Sequence, residues 1–137
     1  MSGSLLITSD KPALESKLQG FMGRQISYAS EALDKIARKL KLTALGDFLS
    51  FDEDDQELMR ELIEEGGGDA SEIAITPAEW FDPAAGLKTA KALREHLTEN
   101  PKAVGKSAVI VKELGELETA LTLIAKKKAH FRFFIDY

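Results

Sequence analysis

Ile110-Val111-Lys112-Glu113-Leu114-Gly115-Glu116-Leu117-Glu118-Thr119-Ala120-Leu121-Thr122-Leu123-Ile124, followed after three lysines by His130-Phe131-Arg132-Phe133-Phe134-Ile135-Asp136, decides the fold class. In the first stretch Ile110, Leu114, Leu117, Leu121 and Ile124 alternate spacings of four and three, the period of one helix face. Lys126, Lys127 and Lys128 stand where the carbonyl end of a helix favours cations. In the second stretch the period changes to two. Phe131, Phe133 and Ile135 take one face, and His130, Arg132, Phe134 and Asp136 the other. A terminal strand that aromatic needs a neighbour, because an exposed apolar edge invites aggregation. Leu5-Leu6-Ile7-Thr8 and Ile73-Ala74-Ile75-Thr76 are the partners on offer. The pattern therefore predicts an α+β fold: a small sheet of N- and C-terminal strands, with residues 73–76 as a further candidate, covered by about five helices.

Upstream, Asp10 with Pro12 in the first turn predicts a capped helix whose core face is Leu14, Leu18 and Phe21. A second helix is expected from about Ser27 to Lys41, with Ala29, Leu33, Ile36 or Ala37, and Leu40 inward. Thr43 to Phe51 reads as one helical turn leading to Ser50-Phe51-Asp52-Glu53, a capping-box pattern. The helix it opens should send Leu58, Met59, Leu62 and Ile63 to the core. It ends at Gly66-Gly67-Gly68, expected as a loop and the most flexible point of the chain. Thr76-Pro77-Ala78-Glu79 is a second capping box. Asp82-Pro83 repeats the device, so a one-turn helix carrying Trp80 and Phe81 should break and restart as a helix to about Glu99. That helix turns Leu87, Ala90, Leu93 and Leu97 inward and stops at Asn100-Pro101.

The chain has 137 residues, 44% apolar and 30% charged, which fits one soluble domain spanning residues 1–137 and leaves disorder out. With no cysteine it holds neither a disulfide nor a thiolate zinc site, and its two histidines cannot make an all-imidazole one. No cofactor and no metal site is expected. No basic residue precedes the short apolar run at Leu5, and no aliphatic stretch approaches a membrane span, so a cytoplasmic protein without membrane contact is expected.

The net charge of −5 conceals an asymmetry: residues 47–79 hold twelve acidic side chains against the single Arg60. Such a block repels phosphate backbones, so no nucleic-acid partner is expected, and it steers a basic protein. A solvated face is the plainer reading of the same charges.

No complete catalytic set emerges. Gly105-Lys106-Ser107 resembles the end of a phosphate-binding loop, but Asn100 stands where the first glycine belongs, and Ser107 reads better as a helix cap. A calcium loop opening at Asp52 would meet Glu57 at its glycine position and Ile63 at its closing acid. His96 lies beside an apolar stripe with no nucleophile named by the sequence, and no Gly-x-Ser-x-Gly occurs. His130 and Asp136 sit six positions apart on one strand face, roughly 20 Å at strand rise. Trp80-Phe81 reads either as a buried corner or as an aromatic anchor for a partner.

Glu79-Trp80-Phe81-Asp82-Pro83-Ala84-Ala85-Gly86-Leu87-Lys88-Thr89-Ala90-Lys91-Ala92-Leu93 resembles a hallmark of small uncharacterised bacterial proteins. So does Glu113-Leu114-Gly115-Glu116-Leu117-Glu118 with its terminal Phe-x-Phe-x-Ile-Asp strand. The order of elements resembles, more remotely, the YfbM-like domains. That resemblance implies a fold and, by analogy with small domains of toxin–immunity neighbourhoods, an immunity-like role; it brings no catalytic residue.

Three functions follow in order. The first is a non-enzymatic interaction module that presents Asp52, Glu53, Asp54, Asp55, Glu57, Glu61 and Trp80 to a basic protein. The second is a small-ligand binder or enzyme with a pocket near Trp80, Asp82 and His96. The third is a homo-oligomer paired through the last strand.

Overall fold

The computed structural model describes residues 3–51, 53–69 and 79–136. In chain order the elements are β1 (Ser4–Ser9), a 3₁₀ turn (Pro12–Leu14), α1 (Glu15–Leu18), α2 (Arg24–Tyr28), α3 (Ser30–Lys39), a second 3₁₀ turn (Leu45–Phe48), α4 (Glu53–Glu65), α5 (Pro83–Glu99), α6 (Ser107–Lys126) and β2 (Phe131–Asp136). Contacts divide the chain into two compact units, Met1–Leu49 with Trp80–Tyr137, and Ser50–Glu79. Only α4 belongs to the second. The described residues form a small α+β fold with a two-stranded antiparallel sheet.

Of the two partners open to the last strand, the N-terminal one is paired with it. Leu5, Ile7 and Ser9 of β1 face Ile135, Phe133 and Phe131 of β2 across the sheet. A two-stranded ribbon is marginal in water, so its apolar face must be covered. Here Phe131 and Phe133 are fully buried with Leu93 and Leu97 of α5 and Leu114, Leu117 and Leu121 of α6. Phe131 also contacts the rings of Phe48, Phe81 and Phe133, with centroids 5.2, 6.3 and 5.1 Å away.

Both edges of the ribbon are occupied. On β1 the Leu5 N–H and C=O pair with Gly23. On β2 Leu49 bridges Phe133 in parallel, and Phe81 bridges Phe131 antiparallel through two backbone hydrogen bonds of 2.8 and 3.0 Å. This overturns the expected one-turn helix at Trp80-Phe81: Phe81 is extended, because pairing with β2 satisfies its backbone and seats its ring in the aromatic cluster. The second edge thus receives the chain at Leu49 and again at Phe81. Between those points, Ser50 Oγ accepts a hydrogen bond from the Glu79 N–H at 2.8 Å, tying the two ends of the second unit together. Helix α4 begins at Glu53, and the cap of that helix lies outside the described residues.

Other helix starts also differ from expectation. Asp10 does not cap; its carboxylate accepts the His130 N–H at 2.8 Å and pairs with the His130 imidazole, closing the end of the ribbon. The expected helix over 27–41 is two, α2 and α3, divided at Ala29, and Leu40 is exposed rather than inward. Ser107 is not a cap either. Lys106 takes that position with φ 55°, and the Ser107 hydroxyl turns back to the Pro101 and Val104 carbonyls. Asp82 caps α5 as expected, accepting the Ala84 N–H at 3.0 Å, with Pro83 in the first turn. The strand expected at 73–76 and the capping box at Thr76-Pro77-Ala78 lie outside the described residues.

Candidate interaction surface

Helix α4 is built from two faces. At about 3.6 residues per turn, Leu58, Met59, Leu62 and Ile63 share one side while Asp54, Glu57, Glu61, Glu64 and Glu65 share the other. The expectation that the apolar four enter the core is not met. Their exposures are 54% for Leu58, 42% for Met59, 58% for Leu62 and 41% for Ile63. The physical reason is size. The unit Ser50–Glu79 contains one helix and no second described element to layer against it, and a stretch this short cannot close a core. Four large apolar side chains on one helix face are more than the scattered exposure normal for a surface.

The ends of α4 explain why it is nevertheless a helix. The Gln56 side-chain amide donates to the Phe51 carbonyl at 2.8 Å at its start. At its end the Gly68 N–H donates to the Ile63 carbonyl at 2.9 Å and the Gly67 N–H to the Glu64 carbonyl at 3.1 Å. Together with Gly67 at φ 88°, this is the Schellman arrangement. The three glycines are thus a specific helix stop rather than a loop without form. An alanine at 67 would have to adopt the left-handed region, so Gly67→Ala should cost α4 about 1–2 kcal/mol. Circular dichroism would register that cost as lost helicity, with unit Met1–Leu49/Trp80–Tyr137 untouched. Against these caps, Glu64 and Glu65 crowd the negative end of the helix dipole, and no basic residue offsets them in the last turn.

Of the predicted surface residues, Asp54, Glu57 and Glu61 lie exposed on the acidic side of α4. Glu53 and Asp55 fall within its backbone, and Asp52 lies outside the described residues. Trp80 belongs to the other unit, 40% exposed, with the Arg132 guanidinium 5.1 Å from its ring centroid. Its neighbour Phe81 is partly buried and packs against the core.

The pocket expected near Trp80, Asp82 and His96 does not form among the cavities described. None of the three residues lines them. Asp82 is committed to its cap, and His96 sits half-buried on α5. A grouping the sequence reading missed is Ser9, Asp10 and His130. Asp10 orients the imidazole, yet Ser9 Oγ approaches Asp10 at 3.4 Å and accepts the Lys11 N–H, so the nucleophile–base hydrogen bond a hydrolase needs is missing. On the edge of β2 named by the third expectation, Leu49 bridges Phe133 and Phe81 bridges Phe131. Among the described residues no three metal-ligating side chains converge, and no helix is long and apolar enough to cross a membrane.

Comparison with protein families, with characterised proteins and with solved structures finds no match to this chain.

Proposed function

We propose that the chain is a protein-interaction module whose binding element is α4. Its occupant is a protein with an apolar groove rimmed by lysine and arginine. One observation carries this reading: Leu58, Met59, Leu62 and Ile63 are exposed together on a helix whose opposite side carries Asp54, Glu57, Glu61 and Glu64. An amphipathic helix laid into a groove buries just such an i, i+4 pair of leucines. The flanking carboxylates would raise the encounter rate and reject acidic competitors. The resemblance to small bacterial domains with an immunity-like role fits a basic, toxin-type partner.

The test uses two variants of the whole chain against the partner recovered from host lysate and then purified. Leu58→Ser with Leu62→Ser should weaken affinity at least tenfold with the salt dependence retained, since each leucine buried contributes about 1.5–3 kcal/mol. Asp54→Asn, Glu57→Gln and Glu61→Gln together should slow association and flatten its salt dependence, while affinities converge at high salt. A partner that binds both variants as it binds the parent would overturn the reading. So would a lysate from which no stoichiometric protein is retained.

A further inference from the structure

A cavity of about 410 Å³ lies within the unit Met1–Leu49/Trp80–Tyr137, walled by Leu5, Ile26, Leu33, Leu45, Leu49 and Ile135. One carboxylate belongs to this largely apolar lining, Asp34 of α3, together with Tyr28 and the serines at 27 and 30. Size and character suit a small organic molecule: an apolar body with one polar anchor point.

The anchor is placed deliberately by the fold. A Cβ on Gly46 would stand 2.7 Å from Asp34 Oδ2, so glycine at 46 is what admits the carboxylate to this position. Asp34 is half-buried, and the hydrogen bond it receives is a long one, Gly46 N–H to Oδ1 at 3.4 Å. Arg38, a cation that acts on Asp34, forms an ion pair with Asp47 at 3.5 Å. Asp34 is the carboxylate of the lining, and neither Arg38 nor Asp47 is part of it. Burial pushes the Asp34 carboxyl above the ordinary aspartate range, with the Gly46 hydrogen bond and Arg38 opposing it only in part. A carboxylate short of partners beside apolar walls gains from a cationic donor more than an exposed one does.

We infer that this cavity binds a small amine: an aromatic or aliphatic body held by the leucine and isoleucine walls, its ammonium paired with Asp34. The lining contains no residue of α4, so its failure would leave the interaction reading standing, and the reverse also holds.

Three probes of one shape separate the terms: phenethylamine, phenethyl alcohol and 3-phenylpropionate, titrated at neutral pH and followed by shifts of the Leu33 and Gly46 amide signals. Phenethylamine should bind at least tenfold more tightly than the alcohol, and the propionate should not bind. Asp34→Asn should abolish the preference of amine over alcohol while leaving the alcohol's affinity unchanged. Ser30→Trp, at the exposed rim, should block both. Equal binding of amine and alcohol, an amine preference that survives Asp34→Asn, or no shift from any probe at millimolar concentration would each overturn the inference.

Discussion

Truncating Phe131 to alanine lowers the stability of the fold by about 3–5 kcal/mol, the largest loss expected from any single side chain in this protein. The ring is fully buried, and three other phenylalanine rings surround it. Gly86 of α5 shows how closely the space is fitted: a Cβ there would stand 2.7 Å from Phe131 Cζ and 3.2 Å from Leu121 Cδ1. Alanine keeps the two backbone bonds to Phe81, so the loss reports the side chain alone. With total stabilities of small domains near 5–15 kcal/mol, the variant should be mostly folded in water but melt at far lower urea, with an unchanged slope. Gly86→Ala supplies the cross-check. In the parent it should destabilise by overpacking; in the Phe131→Ala background its methyl occupies part of the void, and the cost should shrink or change sign. Additive effects in that cycle would refute the proposed contact.

Replacing Glu113 by alanine should cost about 1.5–3 kcal/mol. Helix α2 begins at Arg24 behind Gly23, which has no side chain to cap it. Glu113, reaching from α6, supplies the acceptor: its Oε1 takes the Gln25 and Ile26 N–H groups at 3.0 Å each, and Oε2 lies 3.3 Å from the Gln25 nitrogen. Alanine strands both donors, one of them buried. Burial pushes the Glu113 carboxyl above the ordinary glutamate value of 4.5, outweighing those two backbone hydrogen bonds. A carboxyl raised on folding stabilises the fold fully below the unfolded value, and that contribution is lost as pH rises through the folded one. The parent should therefore gain stability on acidification from neutrality toward pH 4.5, whereas Glu113→Gln should retain most of the cap and lose the Glu113 share of that gain, keeping the share due to Asp34. Urea midpoints measured across this range decide the point; a glutamine variant with the parent's pH profile would place the titration elsewhere.

Period alone made α6, α5 and the terminal strand β2 readable, because each spends its apolar positions on a single face; which strand pairs with β2 stayed open between residues 5–8 and 73–76. Glu113 was readable too, in principle: it falls within the stripe of Ile110, Leu114 and Leu117, where an acid must have a buried partner. What that partner is depends on tertiary structure, since Gln25 stands far away in the chain. Trp80-Phe81 was misassigned because proline and a capping residue signal a helix locally, while the backbone of β2 offered Phe81 a better set of hydrogen bonds. The stripe on α4 shows the opposite limit. Spacing identifies a face that wants covering and says nothing of whether the same chain covers it. Asp34 was invisible for a related reason: its significance comes from Gly46, which shapes the cavity through the side chain it lacks.

The hydrogen bond between Ser50 and Glu79 has a consequence for how such a protein changes over time. A chain that departs and returns at one point, with Leu49 and Phe81 both docked on the same strand, leaves its scaffold almost indifferent to what is spliced between them. Doubling the length of a closed loop adds only about 0.6 kcal/mol of entropic cost. The position is a natural grafting port, where specificity can be exchanged wholesale while the β1–β2 ribbon and its helices keep their architecture.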